Sequence, residues 1–517
     1  MKINIKHILA TVLASCVVAA CDLDTAPTTA LDTNNAFKST ENAQRVLRGA
    51  WQYVFNTGST YASIGLGAIM ANDDFAGNDV VRMLSYGFSS SYNLTNGYSR
   101  GEYNGVLWDL VYDPINNCNG IIKYIDAAQG EQSEKNLIKG QALATRGYMY
   151  MILASHYSFA IDKDPNAVCV PIYTEPTDYN QATAGTPAAS VSEVYQQAIN
   201  DLKAALELIP ETYSHGSAAI DQYKPDYNVV LGLLARTNLY ARNWQEAYDY
   251  ADKLLQRNNY LMSEAEYKSG FSDCSNKEWL WGYSSTIDDW LPSYVFYFKD
   301  TTTPGSYYGS FKVDPYFTDL FEDGDYRKDL FNVWGASKAG AALVDKGAAY
   351  LNNAKFKFKD INNRLADIVL MRVSEIYLIK AEAAANLDGK EAEAREALNT
   401  LRQARGATPE ASASGDDLIK LIWIERRKEL WGEGFSLTDI IRNQQSVERK
   451  AYSEKDVING KNVTKTGHVT VKFEDGTDFV PNSKYYLFRI PLKEENQNSL
   501  LYSKYPMLDI YRKSIDI

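Results

Sequence analysis

Two stretches of this chain repeat one plan, and that plan limits the fold more than any other feature. Residues 229–257 read VVLGLLARTNLYARNWQEAYDYADKLLQR. Apolar side chains recur with a helical period, pause at Arg242-Asn243, then resume with Ala247, Tyr248, Ala251, Leu254 and Leu255 on one face. Residues 368–405 do the same: IVLMRVSEIYLIKAEAAANL, a turn at Asp388-Gly389, then EAEAREALNTLRQAR. Each unit is a helix, a tight turn and an Ala-rich helix. Neither helix can bury its apolar face alone, so the pair must pack on itself and on its neighbours.

A repeating unit of about 34 residues with this plan resembles a tetratricopeptide repeat. Leu231-Gly232, Tyr240 and the order Trp244, Ala247, Ala251 fit that pattern. Three further segments carry the helical period. They are residues 41–55, residues 137–157 with Gly140, Ala144 and Gly147 allowing close packing, and residues 191–208, capped by Ser190 or Ser192 and ended before Pro210. Residues 58–116, 260–350 and 452–490 lack the period and are rich in Gly, Ser, Asp and aromatics, with a short strand expected at Trp279–Tyr283. The expected fold is mainly all-α: a tetratricopeptide-like scaffold of helical pairs within 118–257 and 368–405. It carries large, irregular, aromatic-rich insertions at 58–116 and 260–350 and minor short strands, in a single α-rich domain over 36–517.

Composition adds one oddity. The chain has 37 Tyr against 18 Phe and 9 Trp. Phe fills cores better, whereas a Tyr hydroxyl needs water or a partner, so part of this surplus belongs at the water boundary. Net charge is −12 and no Lys/Arg-rich run interrupts it, which argues against nucleic acid as a partner. Residues 1–20 read as an export signal: Lys2, Lys6 and His7, then an uncharged apolar stretch from Ile8 to Ala20 that is too short to span a bilayer. The ending Val18-Ala19-Ala20-Cys21 resembles a bacterial lipoprotein signal, with Cys21 as the acylated residue and residues 21–35 as a flexible lipid-anchored tether. Cys118, Cys169 and Cys274 then remain, too few and too scattered for a disulfide framework, although one pair could form.

Reaction chemistry is poorly supported. His156, His215 and His468 stand far from one another and from any Cys, and neither GxSxG nor a Walker A run occurs. Gly65-Leu66-Gly67 lacks the third Gly of a dinucleotide loop. Asp73-Asp74, Asp288-Asp289 and Glu322-Asp323-Asp325 could supply the carboxylate pair of a glycoside hydrolase, but adjacent acids in polar loops more often face solvent or cap helices. Asn72-Asp73-Asp74 with Asn78-Asp79 could hold one structural calcium, without EF-hand spacing, and no other cofactor is expected. In residues 416–431, the pairs Glu425–Lys428 and Arg426–Glu429 are spaced to bridge along a helix.

Arg372-Val373-Ser374-Glu375-Ile376-Tyr377-Leu378-Ile379-Lys380-Ala381-Glu382-Ala383 resembles the characteristic helix of the SusD/RagB family, surface lipoproteins of Bacteroidetes-type bacteria. Asn399, Arg402 and Arg405-Gly406 fit the end of that family's repeat. Glu425-Arg426-Arg427-Lys428-Glu429-Leu430 with Glu433-Gly434, Asp439 and Arg442 is similar to its second signature. Ile490-Pro491 and Asn496–Leu501 match its C-terminal segment loosely, with Leu492 and Ser499 departing from it. The resemblance implies a non-enzymatic role at the outer membrane, facing the cell exterior. There the protein would capture glycans, or peptides in some branches, above a SusC-like TonB-dependent transporter on which the helical face docks. A protein-binding repeat adaptor and a glycoside hydrolase are the more distant alternatives.

Sugars present apolar C–H faces and hydroxyl rims, so a binder needs aromatic platforms flanked by polar groups. Two stretches qualify, and family members commonly bind through loops in these areas. The first offers Asp73, Asp74, Tyr86, Tyr92 and Tyr98, and the second Trp290, Tyr294, Tyr307 and Tyr308.

Overall fold

Helices form where the apolar periods run. The computed structural model describes residues 36–505 apart from 59, 61, 83–86, 97–101, 178–183, 216–220, 289–290, 304–307, 334–350 and 459–460. Its longer helices are α1 (Thr40–Asn56), α2 (Gly65–Ala76), α3 (Glu102–Tyr124), α4 (Gln132–Tyr157), α5 (Val191–Leu208), α6 (Tyr227–Tyr240), α7 (Trp244–Arg257), α8 (Val373–Ala385), α9 (Glu391–Ala404), α10 (Gly415–Glu429) and α11 (Ser436–Arg442). The α6–α7 turn passes through Arg242 at φ 61°, and the α8–α9 turn through Gly389 at φ 76°. Ser190 caps α5 in a reciprocal box with Glu193, which decides between the two candidate caps.

The small residues of α4 serve the close approach expected of them. A Cβ on Gly147 would lie 2.9 Å from Leu202 Cγ and 3.0 Å from the Ala198 carbonyl oxygen of α5. Trp51 of α1 sits at the centre of the main core, edge-on to Trp281 with ring centroids 5.2 Å apart. A smaller core joins α8, α9 and α10 through Leu378, Leu398, Leu401, Leu418 and Ile422.

Among the described residues, the strands form five two-stranded antiparallel ribbons. Trp279–Tyr283 pairs with Ile368–Arg372, placing Trp279 opposite Arg372 and Tyr283 opposite Ile368. All five residues of the first strand are buried, because helices cover the face that an alternating strand would show to water. The other ribbons are Val80–Arg82 with Phe311–Val313, Val168–Pro171 with Ala188–Ser190, Phe331–Val333 with Asn352–Asn353, and the hairpin Ser453–Ile458 with Lys461–Thr466.

Two expectations need correction. Residues 58–116 are not one irregular insertion, for α2 and the first half of α3 lie inside them. Every residue of α2 except Met70 is buried, and a helix enclosed on all sides has no polar face to create a period. The Arg426–Glu429 bridge along α10 also does not form. Arg426 instead donates to Asp439 of α11 at 2.7 Å, whereas Lys428 and Glu425 do pair, at 2.9 Å.

Candidate ligand-binding face

An aromatic column runs from the core toward the surface. Phe311 meets Phe75 edge-on at 5.0 Å, and Phe75 stacks on Phe88 at 4.7 Å. Phe88 meets Phe298 edge-on at 5.0 Å, and Tyr308 stacks on Phe298 at 4.6 Å with an interplanar angle of 11°. Phe88 and Phe298 come from the two stretches singled out in the sequence, so the fold brings those stretches together. The first members are fully buried and Tyr308 is half-buried. Polarity rises along the column, from Phe to a Tyr hydroxyl at its outer end.

Tyr294 completes that end. It lies on the short turn Leu291–Val295, its hydroxyl is 3.2 Å from the Tyr308 hydroxyl, and its ring meets Tyr297 edge-on at 5.3 Å. The amides of Tyr308 and Gly309 both donate to the Tyr297 carbonyl, at 3.1 and 3.0 Å, which fixes the backbone under the two rings. Gly87 abuts the column at φ 62°, where an added Cβ would lie 3.1 Å from Ala62 Cβ. The arrangement can offer ring faces and two adjoining hydroxyls to a ligand without any mobile support beneath them.

Of the other expected site residues, Asp73, Asp74 and Tyr92 are corrected by their burial. Asp73 is 3% exposed and sits on α2 with its carboxylate 3.1 Å from His156 Nε2. Burial pushes the Asp73 carboxyl up, with His156 opposing; for His156 burial works downward, but the Asp73 charge and the hydrogen bonds to Asp73 and the Ile152 carbonyl together raise the imidazole. Asp74 is 2% exposed and accepts from the Gly434 amide at 2.8 Å, and burial raises its carboxyl against the pull of Lys299. Tyr92 is 1% exposed, with its hydroxyl 3.0 Å from His468 Nδ1 and the Arg449 guanidinium 4.6 Å from its ring centroid. All three are buried, and Asp74 and Asp73 line separate small pockets away from Tyr294 and Tyr308. Tyr86, Tyr98, Trp290, Tyr307 and Cys21 lie outside the described residues.

Of the acids considered for cation binding or hydrolysis, Asp79, Asp325 and Glu322 are engaged elsewhere, and Asp289 lies outside the described residues. Asp79 pairs with Arg427 at 2.7 Å, Asp325 with Arg327 at 2.7 Å, and Glu322 with Arg402 at 2.6 Å. Among the described residues, no group of three or more His, Cys, Asp or Glu side chains is placed to hold a metal ion. The three histidines stay apart: His215 faces Asp226 at 3.2 Å, and His468 is 2.8 Å from the Asn78 carbonyl, its imidazole pushed down to about 3 by burial.

Sequence reasoning missed a second concavity. A cleft of about 240 Å³ opens beside α3, lined by Trp108, Tyr112, Asp113, Asn116, Tyr173 and Gln497 among others. The signal was present, since Trp108 and Tyr112 stand four apart on a helix with Asp113 and Asn116 beside them. These positions fall within residues 58–116, whose sequence reads as irregular, so the sequence does not show them as one helix face.

Two family models match the chain: the SusD family over residues 332–507, and a family described as starch-binding associating with outer membrane over residues 23–239. A SusD-like protein of Formosa agariphila is 30% identical over 142 residues, 25% of this chain and 28% of that protein, so the chain matches little more than a quarter of its length. A SusD-like carbohydrate binding protein from Bacteroides vulgatus superimposes with a TM-score of 0.83 at 51% identity, covering 90% of this chain and 98% of that one. A SusD superfamily protein from Bacteroides thetaiotaomicron shares the fold, with a TM-score of 0.72 at 23% identity over 90% of this chain and 99% of that one.

Proposed function

Because the chain belongs to the SusD family, we propose that it is a cell-surface lipoprotein that captures glycans and passes them to a SusC-like TonB-dependent outer-membrane transporter. The observation that carries the glycan reading is the Tyr294–Tyr308 pair. Two rings with hydroxyls 3.2 Å apart end a rigid aromatic column, as a sugar's C–H face and hydroxyl rim require. The 51% identical protein from Bacteroides vulgatus, itself described as carbohydrate binding, supports the reading.

Capture without bond cleavage suits the site. Asp73 and Asp74, the carboxylates closest to the column in sequence, are enclosed and partnered, so neither reaches a bound sugar. Acylation of Cys21 would hold the protein at the outer membrane, facing outward, and α6–α9 would offer the helical face to the transporter.

Calorimetric titration of protein lacking residues 1–20 against a panel of oligosaccharides tests the reading. Wild-type protein binds at least one glycan and releases it unchanged. The double variant Tyr294→Ala/Tyr308→Ala loses about tenfold in affinity or more, taking about 1 kcal/mol per removed ring contact. Turnover of the glycan, or unaltered affinity in the double variant, removes the reading.

A further inference from the structure

The cleft beside α3 has the make-up of a small-ligand site, and it shares no lining residue with the Tyr294–Tyr308 face. Its aromatic side is made by Trp108, Tyr112 and Tyr173. Trp108 and Tyr112 lie 4.5 Å apart, and Tyr173 meets Tyr112 edge-on at 5.8 Å. These rings are held in place from behind. The Tyr112 hydroxyl donates to the Pro171 carbonyl at 2.7 Å, and the Tyr173 amide donates to the Tyr150 hydroxyl at 2.7 Å. Asn119 donates to the carbonyls of Tyr173 and Glu175 at 3.1 and 3.0 Å, and Asn116 accepts from the Thr177 amide at 2.8 Å. The walls are therefore preorganised before any ligand arrives.

The opposite wall is the short C-terminal helix Leu492–Gln497. Glu494 accepts from Asn498 at 2.9 Å with one carboxylate oxygen. The exposed amide of Gln497 bonds no other described residue, and the Asn116 Nδ2 group donates to none. Asp113 is exposed at the rim. Amides and carboxylates thus surround an aromatic floor, and the described lining includes no Lys or Arg. At about 240 Å³ the cleft is smaller than the ~300 Å³ at which sites for drug-sized molecules begin. Its capacity is that of one sugar ring.

We propose that this cleft is a second binding site, taking a single pyranose unit without negative charge. The ring would lie on the aromatic side, with its hydroxyls divided between Asn116, Gln497, Asp113 and Glu494. Two carboxylates with no cation in the lining repel uronic, sulfated and phosphorylated sugars. The proposal rests on the glycan-capture reading and adds to it a place for a terminal or neighbouring unit away from the tyrosine pair.

The test uses methyl β-glucopyranoside, methyl β-galactopyranoside, methyl α-mannopyranoside and methyl β-glucuronide as probes, read by saturation-transfer NMR and titration. Each is applied to wild type, Gln497→Ala/Asp113→Ala, Gln497→Trp and Tyr294→Ala/Tyr308→Ala, all checked for matching thermal melts. At least one neutral glycoside binds wild type and the tyrosine variant alike, weakens about tenfold or more in Gln497→Ala/Asp113→Ala, and is blocked in Gln497→Trp. The glucuronide binds at least about tenfold more weakly than its neutral counterpart. Tyr53 bonds Asp113, so if the double variant melts early the exposed Gln497→Trp plug decides alone. Unchanged binding in the cleft variants, or a glucuronide bound as well as the glucoside, overturns the proposal. If long glycans bind but no glycoside engages the cleft, this site falls while the function stands; if no glycan of any length binds, both fall.

Discussion

Two regions of the molecule satisfy their polar side chains in opposite ways. Where α8, α9 and α10 meet, charges are buried outright. Arg372 holds Glu278 at 2.7 Å and Glu433 at 2.8 Å, and Arg405 holds Glu278 at 3.0 Å and Glu429 at 2.9 Å. Arg327 reaches Glu429 at 2.8 Å and also pairs with Glu425 and Asp325, and Lys355 binds Glu433 at 2.7 Å. None of these residues is more than 3% exposed. At the aromatic face, Tyr294 and Tyr308 are half-buried and lean on rings beneath them. The first region spends its polarity inward, on protein partners. The second leaves its two tyrosines partly exposed at the end of a column of rings.

The comparison predicts which region tolerates change. Glu429 faces three arginines, so Glu429→Gln leaves buried cations short of a partner and destabilises by about 3–5 kcal/mol. Chemical denaturation reads this directly, and a loss below about 1 kcal/mol would erase the contrast. Acid should act on the same network. Burial alone would raise Glu425, Glu429 and Glu433, but the surrounding Arg and Lys charges outweigh it and hold all three below 4.5, with Glu425 at about 2. A carboxyl held low in the folded state binds its proton more readily when unfolded. Its contribution is complete above about pH 4.5 and is lost as pH falls toward 2, so the melting temperature drops steeply over that window. Asp74 has the opposite sign, because burial raises it and its ionisation costs stability as pH rises.

A steric control lies between the two regions. Gly147→Ala sets a methyl against Leu202 and the Ala198 carbonyl, and lowers stability by about 1 kcal/mol even after the helix gains from Ala. The effect on folding at the face is comparably small. Tyr308→Ala shifts stability by no more than about 1–2 kcal/mol and leaves the acid profile of the ionic cluster unchanged. A steeper loss there would make the face part of the core and end the distinction.

Much of the scaffold was legible because helix periods are local. The 229–257 unit appears as expected, whereas residues 368–372, expected to open the first helix of the 368–405 unit, form a strand paired with Trp279–Tyr283, and that helix starts only at Val373; the turns fall at Arg242 and Gly389. The site was legible only in part. Tyr294 and Tyr308 share one end of an aromatic column, but Asp73 and Asp74 turn inward because α2 is enclosed on every side and shows no period to read, and Tyr92 turns inward to His468 and Arg449. The α3 cleft stayed hidden for a related reason: its opposite wall comes from residues 494–498, far away in the chain.

The sequence by itself determined most of the helical pairs, the net negative charge, and the motifs that carry family membership. Each is written in neighbouring residues or in totals, and needs no knowledge of what touches what. Only the tertiary structure decided which polar residues are spent inside. Glu278, Arg327, Lys355, Arg372, Arg405 and Glu429 come from separate segments, yet they converge in one buried place. A buried charge is tolerable only when every partner arrives together, and that is a property of the assembled fold rather than of any stretch of chain.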